Sequence, residues 1–415
     1  MEFSVVNRTA GDSRIWDILI ELSFLAFLLA GYYKGDPRLA GIPFDLTIVF
    51  FAASFLLIFL RFVMQPRIAA PAIPFILLFG LLAGFLLLSS VYSRLPSVGL
   101  EKGLRFLILT GWAAMAPLFF MKKESFQRLP IYLIGFALIS AGDGILRYLV
   151  SPNSRVYGFG SNYGSFSQFV AIAFPFAFVY LLKGKNIFQT IISLVVCSLL
   201  IFSVMLSEGK AGILGIVLTV ILMPLFYQAP KKRKTIFFIL FLVVALSALF
   251  IFSSYFQGTY TRFSSLIEGQ EDRYELFSGA IELWQSHLWI GAGASGYAVL
   301  FPRVFPNPLE AYPHSLFLEV ACEQGIAGLL LLFSTIGYAL VLFLQHRFGR
   351  DPQIFAALLA AFISLIFFAF ISKSIIESRT FFYVCGLMVS FATLGYRNGE
   401  LEWKHPVVAP IESKP

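Results

Sequence analysis

Residues 353–372 read QIFAALLAAFISLIFFAFIS, a run of 20 residues without a charged side chain. About 20 apolar residues in helical conformation cross the core of a bilayer, so this run predicts a transmembrane helix. Similar runs recur along nearly the whole chain. Its 415 residues are 58% hydrophobic and 13% charged, whereas a soluble domain carries roughly 25% charged residues. The chain is therefore predicted to be an integral membrane protein, and a soluble globular domain is excluded.

Twelve such runs predict an all-α, polytopic membrane protein with a single integral membrane domain, residues 1–415. The predicted spans are 16–33, 43–62, 73–93, 104–121, 131–149, 165–182, 187–206, 211–227, 235–256, 315–344, 353–372 and 380–396. The strongest basic cluster, residues 231–234, is assigned to the cytoplasm by the positive-inside rule, and both termini then fall on the cytoplasmic side. The net charge of +8 also suits an anionic substrate.

One connection is much longer than the others. Residues 257–313, between the ninth and tenth spans, are predicted to form a large periplasmic loop, and long loops in compact proteins usually carry function or are disordered. Within this loop, residues 274–290 are predicted to form an amphipathic helix, with Phe277, Ile281, Trp284 and Leu288 on its apolar face. Such a helix lies along the membrane interface or packs against the protein.

His314 lies where the long loop meets the tenth span, in the sequence Tyr312-Pro313-His314-Ser315. Ser315 is predicted to cap the helix that follows. Because an imidazole titrates near neutral pH, His314 is a candidate general base; a structural hydrogen bond at the helix start is the alternative. Glu319 and Glu323 follow on one helix face. They are expected to orient the imidazole, pair with an arginine or face other helices.

Basic residues recur in the same part of the sequence. Arg262, Arg273 and Arg303 lie in the long loop, and Lys210 follows Ser207-Glu208-Gly209 at a break between two spans. Cations beside spans are expensive and commonly mark substrate paths, and a guanidinium matches the oxygens of a phosphate. Together these residues are predicted to bind a diphosphate. For each one taken singly, the alternative is a solvated or snorkelling charge.

Other motifs give weaker predictions. Residues 291–296, GAGASG, have the glycines of a dinucleotide-binding turn but lack its strand and helix, so a tight turn that allows close backbone approach is the preferred interpretation. Cys197, Cys322 and Cys385 have neither disulfide nor zinc spacing and are predicted to be buried packing residues. No DxD or HExxH motif is present, so no metal site is predicted. No cofactor and no nucleic-acid partner is expected.

Three stretches of the sequence resemble the O-antigen ligase and O-antigen polymerase family of polytopic bacterial membrane glycosyltransferases. They are residues 314–319 continuing through 323–328, Arg273 with residues 283–293, and residues 207–212. The placement of one large loop before the last few spans is also similar. The family usually has an arginine where this sequence has Lys210, which replaces a bidentate fork by a point charge.

The resemblance implies a metal-independent glycosyltransferase of lipopolysaccharide biosynthesis, multi-pass in the bacterial inner membrane, with a periplasmic active site. It would take a glycan from undecaprenyl diphosphate, in contact with membrane lipid, and transfer it to a hydroxyl of an acceptor. His314 would be the general base, and Arg273, Lys210 and Arg262 would bind the diphosphate. A ligase that acts on lipid A-core is the first hypothesis. A polymerase that extends a lipid-linked O-antigen or exopolysaccharide is the second, and a lipid or anion transporter is the third.

Overall fold

The computed structural model of the chain describes residues 10–64, 68–151, 156–159, 161–184, 186–226, 273–301, 307–346, 351–394, 396–397 and 400–401. These residues are almost entirely α-helical, which confirms the predicted all-α class. The first seven helices are α1 (Ala10–Tyr33), α2 (Leu46–Met64), α3 (Ala72–Ser89), α4 (Pro96–Arg105), α5 (Gly111–Ala114), α6 (Ala116–Phe119) and α7 (Lys123–Val150).

The remaining helices are α8 (Tyr163–Lys183), α9 (Ile187–Leu206), α10 (Lys210–Phe226), α11 (Arg273–Ser286), α12 (Leu316–Gln345), α13 (Pro352–Ile371) and α14 (Arg379–Thr393). Short 3₁₀ turns occupy Pro37–Leu39, Gly296–Val299 and Pro308–Glu310. The only β pairing in the described part of the chain joins β1 (Tyr396–Arg397) to β2 (Glu400–Leu401).

Eight of the described helices are long and apolar enough to cross a membrane, and α10 and α14 are shorter apolar helices. These ten helices coincide with ten of the twelve predicted spans. The prediction of a polytopic membrane protein is therefore confirmed. The predicted ninth span, 235–256, lies outside the described residues. The three cysteines are free and buried, as predicted.

The predicted fourth span, 104–121, is interrupted. Helical structure starts earlier, at Pro96, passes through a π turn at Phe106–Thr110 and stops at Met115. Proline lacks an N–H group and its ring clashes with the carbonyl four residues before it, so Pro117 explains the break. Because the helix starts at Pro96, Lys102 lies inside it and is buried.

The helix α12 is broken at Gly325, whose φ is 65° and ψ is −161°. A break inside a membrane is tolerated only where the freed backbone groups find new partners. Here four backbone hydrogen bonds of 2.9–3.0 Å join residues 288–293 to residues 322–327. The segment that contains the GAGASG motif therefore closes the break in the helix.

The glycines at this junction allow two backbones to touch. A Cβ atom on Gly291 would overlap the backbone of Glu323, and one on Gly325 would lie 2.5 Å from the carbonyl carbon of Trp289. Both glycines also have positive φ angles, which residues other than glycine rarely adopt. The interpretation of residues 291–296 as a tight turn with close backbone approach is confirmed.

Helix α8 lies at the centre of the bundle and packs against α7, α9, α10 and α13. Almost all of its side chains are buried, whereas α2 turns most of its apolar side chains outward. Small residues let α8 and α10 approach closely, as is typical of membrane helices: a Cβ atom on Gly212 would lie 2.6 Å from Ser167 Cβ. This close packing fixes the start of α10 beside the start of α8.

Substitution of Gly325 by alanine is expected to destabilise the protein, because alanine would have to adopt a φ of 65° against the backbone of Trp289. Strain of this kind amounts to about 1–3 kcal/mol. The thermal unfolding midpoint of the purified protein in detergent measures the loss. Gly337→Ala is the matched control in the same helix, since a Cβ atom there meets nothing within 4 Å. Equal midpoints for the two variants would contradict the assignment of the break.

Candidate active site

A cavity of about 310 Å³ opens where the starts of α8 and α10 meet the residue segment before α12 and the loop after α13. Its lining contains a histidine, two lysines and a carboxylate, together with amide, hydroxyl and aromatic side chains. These residues are His314, Lys210, Lys373, Glu377, Asn162, Gln168, Ser167, Tyr163 and Tyr312. The cavity thus combines a candidate base with two cations.

His314 is half-buried at the mouth of α12 and has a φ of 51°. A positive φ is uncommon for a residue with a side chain, and such conformations cluster at functional sites. On one side its ring lies against Tyr312, with 4.6 Å between ring centroids. On the other side Ser315 caps the helix, as predicted, because the Leu318 amide donates to its hydroxyl at 3.4 Å. The Tyr312 ring and the capped start of α12 therefore flank the imidazole at the cavity.

Lys210 is the first residue of α10, after a turn in which Glu208 has a φ of 56°. A Cβ atom on Gly209 would overlap the side chain of Ser167, so the turn is pressed against the start of α8. The predicted break between two spans is confirmed. Lys210 and His314 line the same cavity, although 104 positions separate them in sequence.

Lys373 is a third cavity residue, which sequence reasoning did not select. It lies in the loop between α13 and α14, is only 9% exposed, and forms no ion pair with any carboxylate in the described parts of the chain. Burial lowers the pKa of Lys373, Arg379 adds to this effect, and Glu377 opposes it. The sequence does carry a feature that could have identified Lys373 as a site residue: it stands directly between two apolar runs, where a charge is energetically costly.

Glu319 and Glu323 are not among the residues that line the cavity; they bind Lys102. The Lys102 ammonium lies 2.6 Å from Glu319 Oε1 and 2.7 Å from Glu323 Oε2, and all three side chains are at most 1% exposed. The other Glu319 oxygen accepts a 2.7 Å hydrogen bond from the amide of Ile375. The two glutamates therefore connect α4, α12 and the loop that carries Lys373. Of the expected roles, facing another helix is observed; the ion-pair partner is a lysine, Lys102 of α4, and not the expected arginine.

The two predicted diphosphate-binding arginines are less fully described. Arg273 is the first residue of α11, and its side chain lies outside the described part. Arg262 lies outside the described residues altogether, as do residues 257–272 and 302–306 of the predicted long loop. The structure thus brings His314 and Lys210 together, adds Lys373, and pairs Glu319 and Glu323 with Lys102.

Helix α11, predicted as an amphipathic loop helix, packs against the protein through Leu276 and Ala280, which are buried. The hydroxyl of buried Tyr297 donates to the Leu276 carbonyl at 3.0 Å. Ile281 and Leu288 belonged to the predicted apolar face but are exposed. That face was therefore wrong in part: the helix was predicted to reach residue 290 but ends at Ser286, before Leu288, and it turns Leu276 and Ala280 rather than Ile281 towards the protein.

Residues 194–333 match the sequence model of a protein family described as O-antigen ligase. No curated protein sequence matches the chain. The matched region begins in α9, ends in α12, and contains Lys210, Arg273 and His314. The resemblance to the O-antigen ligase family that the sequence predicted is confirmed for this region.

Replacing Lys102 by methionine is expected to lower stability strongly, because two buried carboxylates would lose their only described cation. Breaking a buried ion pair in this way costs about 3–5 kcal/mol. Arg105→Met in the same helix is the matched control, since its ion pair with Glu101 is exposed and such pairs contribute about 0.3–0.5 kcal/mol. Thermal unfolding in detergent compares the two variants.

Removing the charges of the two carboxylates that Lys102→Met leaves unpaired should restore part of the lost stability. The triple variant Lys102→Met, Glu319→Gln, Glu323→Gln keeps acceptor oxygens, including one for Ile375, without burying unpaired charge. We expect its unfolding midpoint to exceed that of Lys102→Met. If Lys102→Met were no more harmful than Arg105→Met, the three residues would not form the buried ion cluster described above.

Proposed function

We propose that this membrane protein, whose residues 194–333 match the O-antigen ligase family, transfers a glycan from undecaprenyl diphosphate to a hydroxyl of lipid A-core. The reaction takes place at the periplasmic face of the bacterial inner membrane, with both termini in the cytoplasm. Apolar helices and the family match support a membrane glycosyltransferase. The single observation that carries the finer proposal is the cavity that His314, Lys210 and Lys373 line together.

The cavity is suited to a diphosphate. Lys210 stands at the first position of a 17-residue helix, where the positive end of the helix dipole also favours an anion. Lys373 is buried, and a charge in a low-dielectric environment acts more strongly on an anion than the same charge in water. Both lysines act as point charges rather than as bidentate forks. Arg273 and Arg262 stay predicted members of this binding site.

The proposed reaction is a displacement at the anomeric carbon of the donor sugar. His314 takes the proton of the acceptor hydroxyl, and the oxygen forms a bond to the anomeric carbon. The bond between that carbon and the diphosphate oxygen breaks, and its electron pair leaves with the diphosphate. General-base catalysis raises the rate of such a step by about a hundredfold to ten-thousandfold. Preorganised cations stabilise the developing negative charge by several kcal/mol, on the order of other anion holes.

We propose that this chemistry is metal-independent, because the lysines and predicted arginines neutralise the leaving group. Glu319 and Glu323 lie in the first turns of α12. Both carboxylates form ion pairs with Lys102. They support the cavity through Lys102 and Ile375, and the proposal gives them no direct part in proton transfer.

A polymerase would use the same donor and differ only in its acceptor, a second lipid-linked glycan. The family description, O-antigen ligase, favours the ligase. A transporter is less well supported, because the ionisable residues inside α7 are paired. Arg147 contacts Asp143 and Asp36, each at 2.9 Å, and Arg38 contacts both carboxylates. These residues form a structural network at one end of the bundle.

His314→Ala is expected to lower the turnover of glycan transfer by about 10² to 10⁴, the contribution of a general base. The purified protein is given an undecaprenyl-diphosphate-linked glycan with either lipid A-core or a second lipid-linked glycan, and products are separated on gels. Transfer to lipid A-core supports the ligase, whereas lengthening of the lipid-linked glycan supports the polymerase.

The control for this experiment is His346→Ala, which changes the same residue type at the other end of α12. It should transfer at the wild-type rate. Substantial transfer by His314→Ala would remove the base from the mechanism. Absence of transfer by the wild type with every acceptor would count against the proposed function as a whole.

Donor binding is expected to depend on the charge of Lys373. Because burial lowers its pKa, its ammonium loses the proton at a lower pH than an ordinary lysine does. Donor affinity should therefore fall as pH rises through that pKa. Lys373→Arg should move the fall to higher pH, since a guanidinium stays protonated. Titrations of the donor with His314→Ala protein measure binding without turnover.

Other charged groups at the cavity could contribute to this profile, namely Lys210, Glu377 and Arg379. They are unchanged between the two proteins being compared, so the difference reports on Lys373. Lys183→Arg, at the far end of α8, serves as the matched control. Identical pH profiles for the Lys373 protein and its arginine variant would exclude Lys373 from the donor site.

A further inference from the structure

A second cavity, of about 390 Å³, lies between α2, the α5–α6 region and the residues before α7. It is at the opposite end of the bundle from His314. Helix α7 separates the two ends, because it runs for 28 residues from the second cavity to the loop before α8. At about 1.5 Å per residue this helix is roughly 42 Å long. The second cavity is therefore not part of the candidate active site.

One end of this cavity is basic. Arg61 and Lys122 line it, and Asp17 lies between them, 2.5 Å from the Lys122 ammonium and 4.0 Å from the Arg61 guanidinium. The next carboxylate along α1, Glu21, is paired with Arg128. One carboxylate thus faces two cations, which leaves an excess of positive charge at a place where α2 is otherwise apolar.

The other end of the cavity leads along an aromatic surface. Phe51, Phe55 and Phe59 follow one another at four-residue spacing on α2, with 6.3 Å between successive ring centroids. Trp112 lies against Phe55 at 5.6 Å. Phe55 and Phe59 are about half exposed. A continuous apolar track therefore runs from the basic end towards the middle of the helix.

We propose that this cavity binds an anionic diacyl phospholipid. Its phosphate lies at Arg61 and Lys122, and the part of its acyl chains nearest the headgroup lies along Phe55 and Phe59. Basic pockets between transmembrane helices on the cytoplasmic side are typical binding sites for anionic headgroups. The orientation predicted from the basic residues puts Arg61 and Lys122 on that side. Charge and shape agree: a phosphate matches the excess cation, and an acyl chain matches the aromatic track.

Trp112 provides a reporter, because it lines the cavity. The full-length protein is reconstituted in phosphatidylcholine vesicles that contain increasing amounts of brominated phosphatidylglycerol or, in parallel, brominated phosphatidylcholine. The difference between the fluorescence of the wild type and of Trp112→Phe isolates quenching of Trp112. We expect brominated phosphatidylglycerol to quench at several-fold lower mole fraction. Lys122→Gln should reduce this preference by about fivefold, the effect of one basic residue at a membrane surface.

Lys183→Gln is the matched control, since it removes the same charge at the same end of the bundle, outside the cavity. It should leave the preference unchanged. Should Trp112→Phe fail to fold, native mass spectrometry of retained phosphatidylglycerol in the wild type, Lys122→Gln and Lys183→Gln gives the same comparison. Equal quenching by the two lipids, or equal effects of the two glutamine variants, would overturn the proposal. Displacement by undecaprenyl diphosphate but not by unlabelled phosphatidylglycerol would also overturn it.

Discussion

In hydrocarbon, every backbone amide and carbonyl needs a hydrogen-bonding partner within the protein. The rest of this structure depends on how that requirement is met at Gly325, where α12 is broken. Residues 288–293 supply the missing partners, and this fixes the position of the segment that connects to α11. It also separates the first turns of α12, which follow His314 and carry the two buried glutamates, from the long apolar remainder.

The first part of α12 is then held from a second direction. Lys102 reaches both glutamates from α4, and Glu319 also accepts from the Ile375 amide. Since Lys373 lies two residues before Ile375, the same cluster that stabilises α12 also sets the place of a cavity cation. The imidazole and the lysines of the cavity come from three separate parts of the chain. The buried ion cluster positions α12 and the loop of Lys373, and the close packing of α10 on α8 positions Lys210.

Much of the fold could be predicted from composition and apolar run length, because a bilayer imposes a nearly constant helix length. The broken fourth span could not be predicted in full, since Pro117 stops a helix whose start at Pro96 lies in a more polar stretch. In the candidate site, His314 and Lys210 were recognisable because each stands at the end of a span. Lys373 and Lys102 were missed because their roles depend on burial, which a single sequence does not reveal at a loop or an interrupted helix. The apolar face of α11 was misplaced in part, since Ala280 rather than Ile281 meets Tyr297 and its neighbours.

The separation of Lys102 from its partners in sequence affects the order of assembly. Lys102 and Glu323 are 221 positions apart, so at about 5–20 residues per second a ribosome needs roughly 10–40 seconds to complete the second after the first. During that interval the Lys102 ammonium lacks both of the carboxylates that it contacts in the folded protein, and an unpaired charge is costly inside a bilayer. The buried ion cluster can therefore form only after the part of the chain that carries Glu319 and Glu323 has been synthesised.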